Sequence, residues 1–241
     1  MSPRRTARAT AARERRRLEA LNYHERELFA QGVRFVGGID EVGRGPLAGP
    51  VVAACVVSAE PLLIKGLDDS KVVPADRREL LAEEIRNRCV AWAVGAASAE
   101  EIDRLNIFRA TLLAMERAIA ALPIHPEYLL VDALRIPSFT GEQRALVRGD
   151  SRSSTIAAAS ILAKVHRDRL LVELHERYPH YGFAEHKGYG TPRHVEALRA
   201  HGPICEHRRR FVEAVLRNIP LPGLGEDEPL VDLLAEVGET P

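Results

Sequence analysis

The chain has 241 residues, with 34 Lys+Arg against 34 Asp+Glu, so its formal net charge is zero. Hydrophobic residues at 46% and charged residues at 28% suit one large globular domain or two small ones, and exclude a collagen-like or wholly disordered polymer. No apolar run approaches the ~18 residues of a membrane span, and no apolar segment follows the Arg-rich start, so a cytoplasmic protein is expected.

The zero balance hides segregated blocks. Residues 1–17 hold seven Arg and one Glu, whereas residues 18–134 hold 12 basic and 18 acidic residues. Residues 135–217 hold 15 basic and nine acidic residues with seven of the nine His, and residues 218–241 hold six acids and no base. A basic surface for nucleic acid therefore survives the neutral average. Cys55, Cys89 and Cys205 are odd in number and lack C-x-x-C spacing, which argues against a disulfide scaffold; they are expected to be small buried hydrophobes.

Residues 1–17 read as a basic disordered arm, and Leu18 to Phe29 as a short amphipathic helix. Arg34 to Glu41, Val51 to Ser58 and Cys89 to Ala97 are β-rich runs. Asp76 to Arg88 is a predicted helix opened after Pro74, and Asn106 to Ala121 a second one, stopped near Pro123. Glu127 to Asp132 is a short buried strand, with another over Ala145 to Val147. A long helix spans Ser153 to Arg177, and shorter ones are expected at Pro192 to Ala200 and Arg209 to Arg217. This order gives an α/β fold: a mixed β-sheet flanked by helices, with a C-terminal helical portion. Domain bounds of 1–17, 18–217 and 218–241 follow, the last segment being an acidic flexible tail. That tail lacks the Gln and paired aromatics of a sliding-clamp peptide, so no clamp contact is expected.

Asp40 and Glu41 end an apolar strand and enter the Gly-rich turn Val42-Gly43-Arg44-Gly45-Pro46. The turn leads into a second strand, unlike a dinucleotide fingerprint, which opens a helix. Asp132 ends another apolar strand, and Asp150 follows Gly149 just before the long helix. Carboxylates gathered at one sheet edge repel and need a counter-charge; an all-oxygen set suits one or two Mg²⁺ or Mn²⁺ ions, which serve phosphoryl displacement. Adjacent strand residues point to opposite faces, so the strand is expected to end at Asp40, with Glu41 contributing from the turn.

Beside these stand Asp69-Ser70-Lys71, Gly149-Asp150-Ser151, Ala157-Ala158-Ala159-Ser160-Ile161-Leu162-Ala163-Lys164 and His186-Lys187-Gly188-Tyr189-Gly190-Thr191. Together and in this order the blocks resemble type 2 ribonuclease H, the ribonuclease HII family, from about Val33 to about Arg217. The resemblance implies an RNase H-like fold and cleavage of the RNA strand of RNA/DNA hybrids and of single ribonucleotides embedded in duplex DNA, leaving 5′-phosphate and 3′-hydroxyl ends. It assigns catalysis and metal binding to Asp40, Glu41, Asp132 and Asp150. It assigns reading of the ribose 2′-hydroxyl to Gly43, Arg44 and Gly45, and packing on the adjacent deoxyribose to Tyr189. Arg44 separates the chain from the type 3 enzymes. The motif at Lys71 continues Val72-Val73 where the family commonly has a second Lys.

Lys71, Lys164 and Lys187 are candidate phosphate contacts, as is Ser151 within its motif; ordinary surface positions are the alternative. His201, Cys205 and His207 fall one ligand short of a zinc site, so surface or nucleic-acid-facing histidines are expected. Arg208-Arg209-Arg210 reads as a solvated or phosphate-facing helix start. A monomer acting in DNA replication and repair is expected. A junction-cutting nuclease of the same fold and a hybrid-binding protein without catalysis are the competing readings.

Overall fold

The run Val51–Ser58 has eight consecutive buried residues, and this double-sided burial places it inside a sheet covered on both faces. A computed structural model describes residues 3–219, with side chains described from residue 11 onward. From residue 220 the expected acidic tail lies outside the described residues. The strands are β1 (Val36–Val42), β2 (Val51–Ser58), β3 (Ala91–Ala97), β4 (Tyr128–Asp132) and β5 (Glu142–Leu146). Among the described residues they form one five-stranded sheet in the order β3-β2-β1-β4-β5. β1 runs antiparallel to β2 and β2 to β3, whereas β4 is parallel to both β1 and β5. The mixed sheet expected from sequence is present.

The helices are α1 (Pro3–Leu21), α2 (Tyr23–Ala30), α3 (Ala75–Arg88), α4 (Ala99–Leu105), α5 (Ile107–Ala120), α6 (Ser154–Arg177), α7 (Phe183–His186), α8 (Pro192–His201) and α9 (Arg209–Leu216). One sheet face packs Ile39, Ala53, Cys55 and Val131 against Ala110, Ala114 and Ala118 of α5. The other packs Val52, Ala54 and Val56 against α6 and against Leu81 and Ile85 of α3. Helix α6 is buried without a break from Ser154 to Ala163, which explains its lack of a polar stripe there. It crosses β1 at backbone distance: a Cβ on Gly38 would lie 2.2 Å from the Thr155 carbonyl carbon. Among the described residues no helix is long and apolar enough to cross a membrane.

The N-terminal segment departs from expectation. Residues expected as a disordered arm belong to α1, and the single helix expected over Leu18 to Phe29 is split at Asn22. The anchor is polar: Glu14 pairs with Arg17 at 2.9 Å and accepts the Gly66 amide at 2.9 Å, while Arg17 donates to the Leu67 carbonyl at 2.8 Å. Leu18 and Leu21 then enter the core. Helix α4, which the sequence reading passed over, is opened by a capping box between Ser98 and Glu101. Strand β5 starts three residues earlier than expected, because as an edge strand it buries only Leu146.

Candidate active site

The parallel register pairs Ile39 of β1 with Val131 of β4, so the next residues, Asp40 and Asp132, stand side by side at the strands' carboxyl ends. This is where α/β sheets place ligands. Asp40 is 5% exposed. Burial, then the neighbouring Glu41 and Asp132, push its carboxyl well above the ordinary carboxylate range, against hydrogen bonds from Ser160 and the Glu41 amide. Asp132 is raised by burial too, although it accepts the Gly149 amide at 2.6 Å. That bond draws the Gly149–Ser151 turn against β4, and Asp150 on it is buried and raised by burial, Asp69 and Asp132.

The strand does not end at Asp40. Glu41 and Val42 remain in the ladder, opposite Ala53 and Val52, because the turn that reverses the chain begins only at Gly43. Glu41 is therefore a strand residue on the opposite face from Asp40. Its carboxyl lies 3.5 Å from the Arg44 guanidinium. Burial still raises it, with Asp132 adding repulsion, and one carboxylate oxygen, Oε2, is buried without a partner.

Lys71 is the cluster's cation. Burial works against its charge, but Asp69, Asp150, Asp40 and Asp132 outweigh that and raise its pKa. Asp69, quoted within its motif but not singled out from sequence, is thus a fifth acid beside the site. Ser70 joins the same wall through a 2.9 Å hydroxyl–hydroxyl bond with Ser160 of α6. Among the described residues no three Asp, Glu, His or Cys side chains meet at metal-ligand spacing. The donors themselves, all carboxylate oxygen with the unpartnered Glu41 Oε2 among them, fit a hard divalent cation.

The Gly43–Arg44–Gly45 turn lies beside the acids, entered at φ +90° at Gly43, a conformation that favours glycine. Beneath it sit two arginines with no exposed surface, Arg167 and Arg208. Arg167 donates to the carbonyls of Ala48, Pro50 and Lys187, each at 3.0 Å. Arg208 donates to Gly43 at 2.6 Å, Arg44 at 2.7 Å and Gly49 at 2.8 Å. Arg208 is thus neither solvated nor phosphate-facing, as its Arg-rich run had implied. The Tyr189 loop packs alongside through the Leu47 amide on the Gly188 carbonyl, 2.8 Å, and the Tyr189 ring is exposed.

The remaining candidates divide. Lys164 is engaged with Asp168 at 2.7 Å, and burial lowers its pKa. Lys187 turns its ammonium to the Ala184 carbonyl and lines a groove between α3 and α6. Ser151 is exposed and donates to the Arg148 carbonyl at 2.9 Å. The expected surface histidines include two buried ones: His194 and His207 share an Nε2···Nε2 bond of 3.0 Å, which turns His207 inward. Cys55 is buried as expected, but Cys89 is half-buried and Cys205 exposed.

The ribonuclease HII family model matches residues 37–214, a span that contains every acid and both arginines described above. Ribonuclease HII of Caldanaerobacter subterraneus subsp. tengcongensis is 48% identical over 212 residues, 88% of each chain. That of Geobacillus thermodenitrificans is 54% identical over 197 residues, 82% of this chain and 76% of its own. Among solved structures, ribonuclease H2 from Pyrococcus horikoshii superposes with a TM-score of 0.63 at 26% identity, over 76% of this chain and 98% of its own. Sequence match, sheet and helix cover thus agree over most of the described chain, and the protein belongs to the ribonuclease HII family as a ribonuclease H hydrolase.

Proposed function

We propose that the chain cuts the RNA strand of RNA/DNA hybrids and single ribonucleotides in duplex DNA, acting in the cytoplasm during DNA replication and repair. The observation that carries this reading is the juxtaposition of a buried acid cluster with a glycine-flanked turn whose Arg44 and Gly45 amides have no protein acceptor among the described residues. Asp40, Asp132 and Asp150, with Glu41, would hold one or two Mg²⁺ or Mn²⁺ ions, which when bound supply Lewis acidity and an activated water. Burial first, and neighbouring acids after it, raise the pKa values of Asp40, Glu41, Asp132 and Asp150; a divalent cation would favour their charged forms.

Gly43, Arg44 and Gly45 meet the ribose 2′-hydroxyl, the group that separates RNA from DNA. Tyr189, exposed on its loop, lies flat on the neighbouring deoxyribose, so the two elements choose which phosphate is presented to the acids. Lys71 stands at the acid cluster and meets a substrate phosphate there. Lys164, Lys187 and Ser151 serve the duplex backbone only by leaving their present partners. The product carries a 5′-phosphate on the ribonucleotide side. Residues 18–217 constitute the catalytic domain, acting as a monomer.

The test is cleavage of a duplex carrying one ribonucleotide, with Mg²⁺ or Mn²⁺, beside an all-DNA control. Cutting of the first alone is expected. Equal cutting of both favours a junction-type nuclease, and binding without cutting a hybrid-binding protein; either result overturns the reading.

A further inference from the structure

Arg167 and Arg208 are the two largest side chains with under 2% exposure, yet no carboxylate within salt-bridge distance pairs with either among the described residues. Burying a guanidinium without a counter-ion is expensive unless every donor is met. Here the acceptors are backbone carbonyls, and they come almost wholly from one loop: Gly43, Arg44, Ala48, Gly49 and Pro50. The exception is the Lys187 carbonyl, which lies in the Tyr189 loop and is held by Arg167.

Two consequences follow from this pattern. The carbonyls of the turn are drawn inward, and among the described residues no protein acceptor takes the Arg44 or Gly45 amide, so those donors stay free for a hydroxyl. Arg167 also ties the two loops together, its fork spanning Ala48 and Pro50 on one side and Lys187 on the other. A planar guanidinium can bridge three carbonyls at fixed spacing, which a lysine ammonium cannot.

We propose that Arg167, supported by Arg208, is a positioning residue that fixes the Gly43–Arg44–Gly45 turn and the Tyr189 loop as one rigid sugar-reading unit. This rests on the functional reading above. It assigns to a buried arginine on α6 the spacing between the group that meets the ribose and the group that meets the next deoxyribose. The close approach is built in: a Cβ on Gly43 would lie 2.2 Å from Arg167 Nε.

The experiment compares full-length wild type with Arg167→Lys in two ways. Hydrogen exchange without substrate reads the amides of Leu47 and Gly49 in one loop and of Gly188 and Tyr189 in the other. All four are expected to lose protection together, while β2 and α5 keep theirs. Cleavage is then measured on a single-ribonucleotide duplex and on a uniform RNA/DNA hybrid. Because misplacement by ~1 Å can cost on the order of a hundredfold, the single-site rate is expected to fall about tenfold or more relative to the hybrid rate.

Loss of protection in one loop alone, a uniform rise across the chain, or an unchanged ratio of the two rates would overturn the proposal. If Arg167→Lys does not fold, Gly43→Ala strains the same contact and is read by the same exchange criterion. Exchange needs no substrate, so a chain that cuts no ribonucleotide would sink the functional reading and leave the loop coupling to stand or fall on its own result.

Discussion

The acid cluster and the Gly43–Arg44–Gly45 loop lie side by side and solve the burial of charge in opposite ways. In the cluster, Asp40, Glu41, Asp132 and Asp150 are crowded with like charge, their carboxyls raised by burial and one another, and Glu41 Oε2 has no partner. In the loop, two buried guanidiniums donate only to backbone carbonyls. The first region is left unsatisfied so that something else can complete it. In the second, both buried guanidiniums find their acceptors inside the protein, while Arg44 Nε and the Arg44 and Gly45 amides stay unpartnered among the described residues, so the scaffold under the turn holds its shape before substrate arrives.

The sharpest way to break this contrast is to neutralise one acid. Asp40→Asn is expected to lower cleavage by at least about a thousandfold, the scale of losing a metal ligand that stabilises developing charge, with binding of the hybrid largely kept. The same variant is expected to be more stable than wild type at neutral pH in metal-free buffer, by roughly 2–4 °C in Tm for each kcal/mol of repulsion removed. Because the folded-state pKa of Asp40 is raised, folding favours its protonated form; the gain over wild type is absent at acid pH and grows as pH rises through the raised pKa. A variant that cuts normally would remove Asp40 from the site.

The opposite result is expected in the loop. Arg208→Met leaves the Gly43, Arg44 and Gly49 carbonyls buried and unpaired, which costs ~2–5 kcal/mol and is read as a lowered Tm. Under the start of α6 lies Glu25, fully buried on α2, whose Oε1 accepts from Ser153 Oγ at 2.5 Å and from the Thr155 amide and hydroxyl at 2.9 Å. It caps α6 three residues beyond Asp150, and Glu25→Gln is expected to cost ~1–2 kcal/mol in chemical denaturation.

A smaller effect separates the C-terminal helices. Burial lowers His194 and His207 to about 4, with His186 also disfavouring charge on both rings and His194 on His207. Depressed histidines supply stability that is whole above the ordinary value of 6.5 and lost as pH falls toward 4. Tm is therefore expected to drop over that window, and less steeply in a His194→Gln/His207→Gln variant. Least of all, Tyr189→Ala is expected to change stability by no more than ~0.5 kcal/mol while lowering single-ribonucleotide cleavage.

What the sequence made legible follows this division. Val51–Ser58 is read residue for residue because continuous burial leaves an apolar run; Asp40 and Asp132 stand out because acids interrupt apolar strand ends, and Asp150 because it follows a glycine just before the long helix. Arg167, Arg208 and Glu25 are invisible at that level, since composition treats charged residues as exposed. Their partners lie far off: Arg208 meets Gly43 across 165 positions and Glu25 meets Thr155 across 130. Glu41 belongs to the strand and not to the turn; the glycines beyond it announce a turn without saying where the ladder stops. Helix α1 carries almost no apolar stripe, and its order comes from Glu14 and Arg17 gripping a distant loop.

If the acids cut while the rigid loop decides where, mapping the cut on a long duplex with one ribonucleotide tests both halves at once. A single incision at the phosphate on the 5′ side of the ribonucleotide, leaving a 3′-hydroxyl and a 5′-phosphate and requiring added Mg²⁺ or Mn²⁺, is the predicted result. Incisions scattered through the DNA, or cutting that persists in chelator, would contradict it.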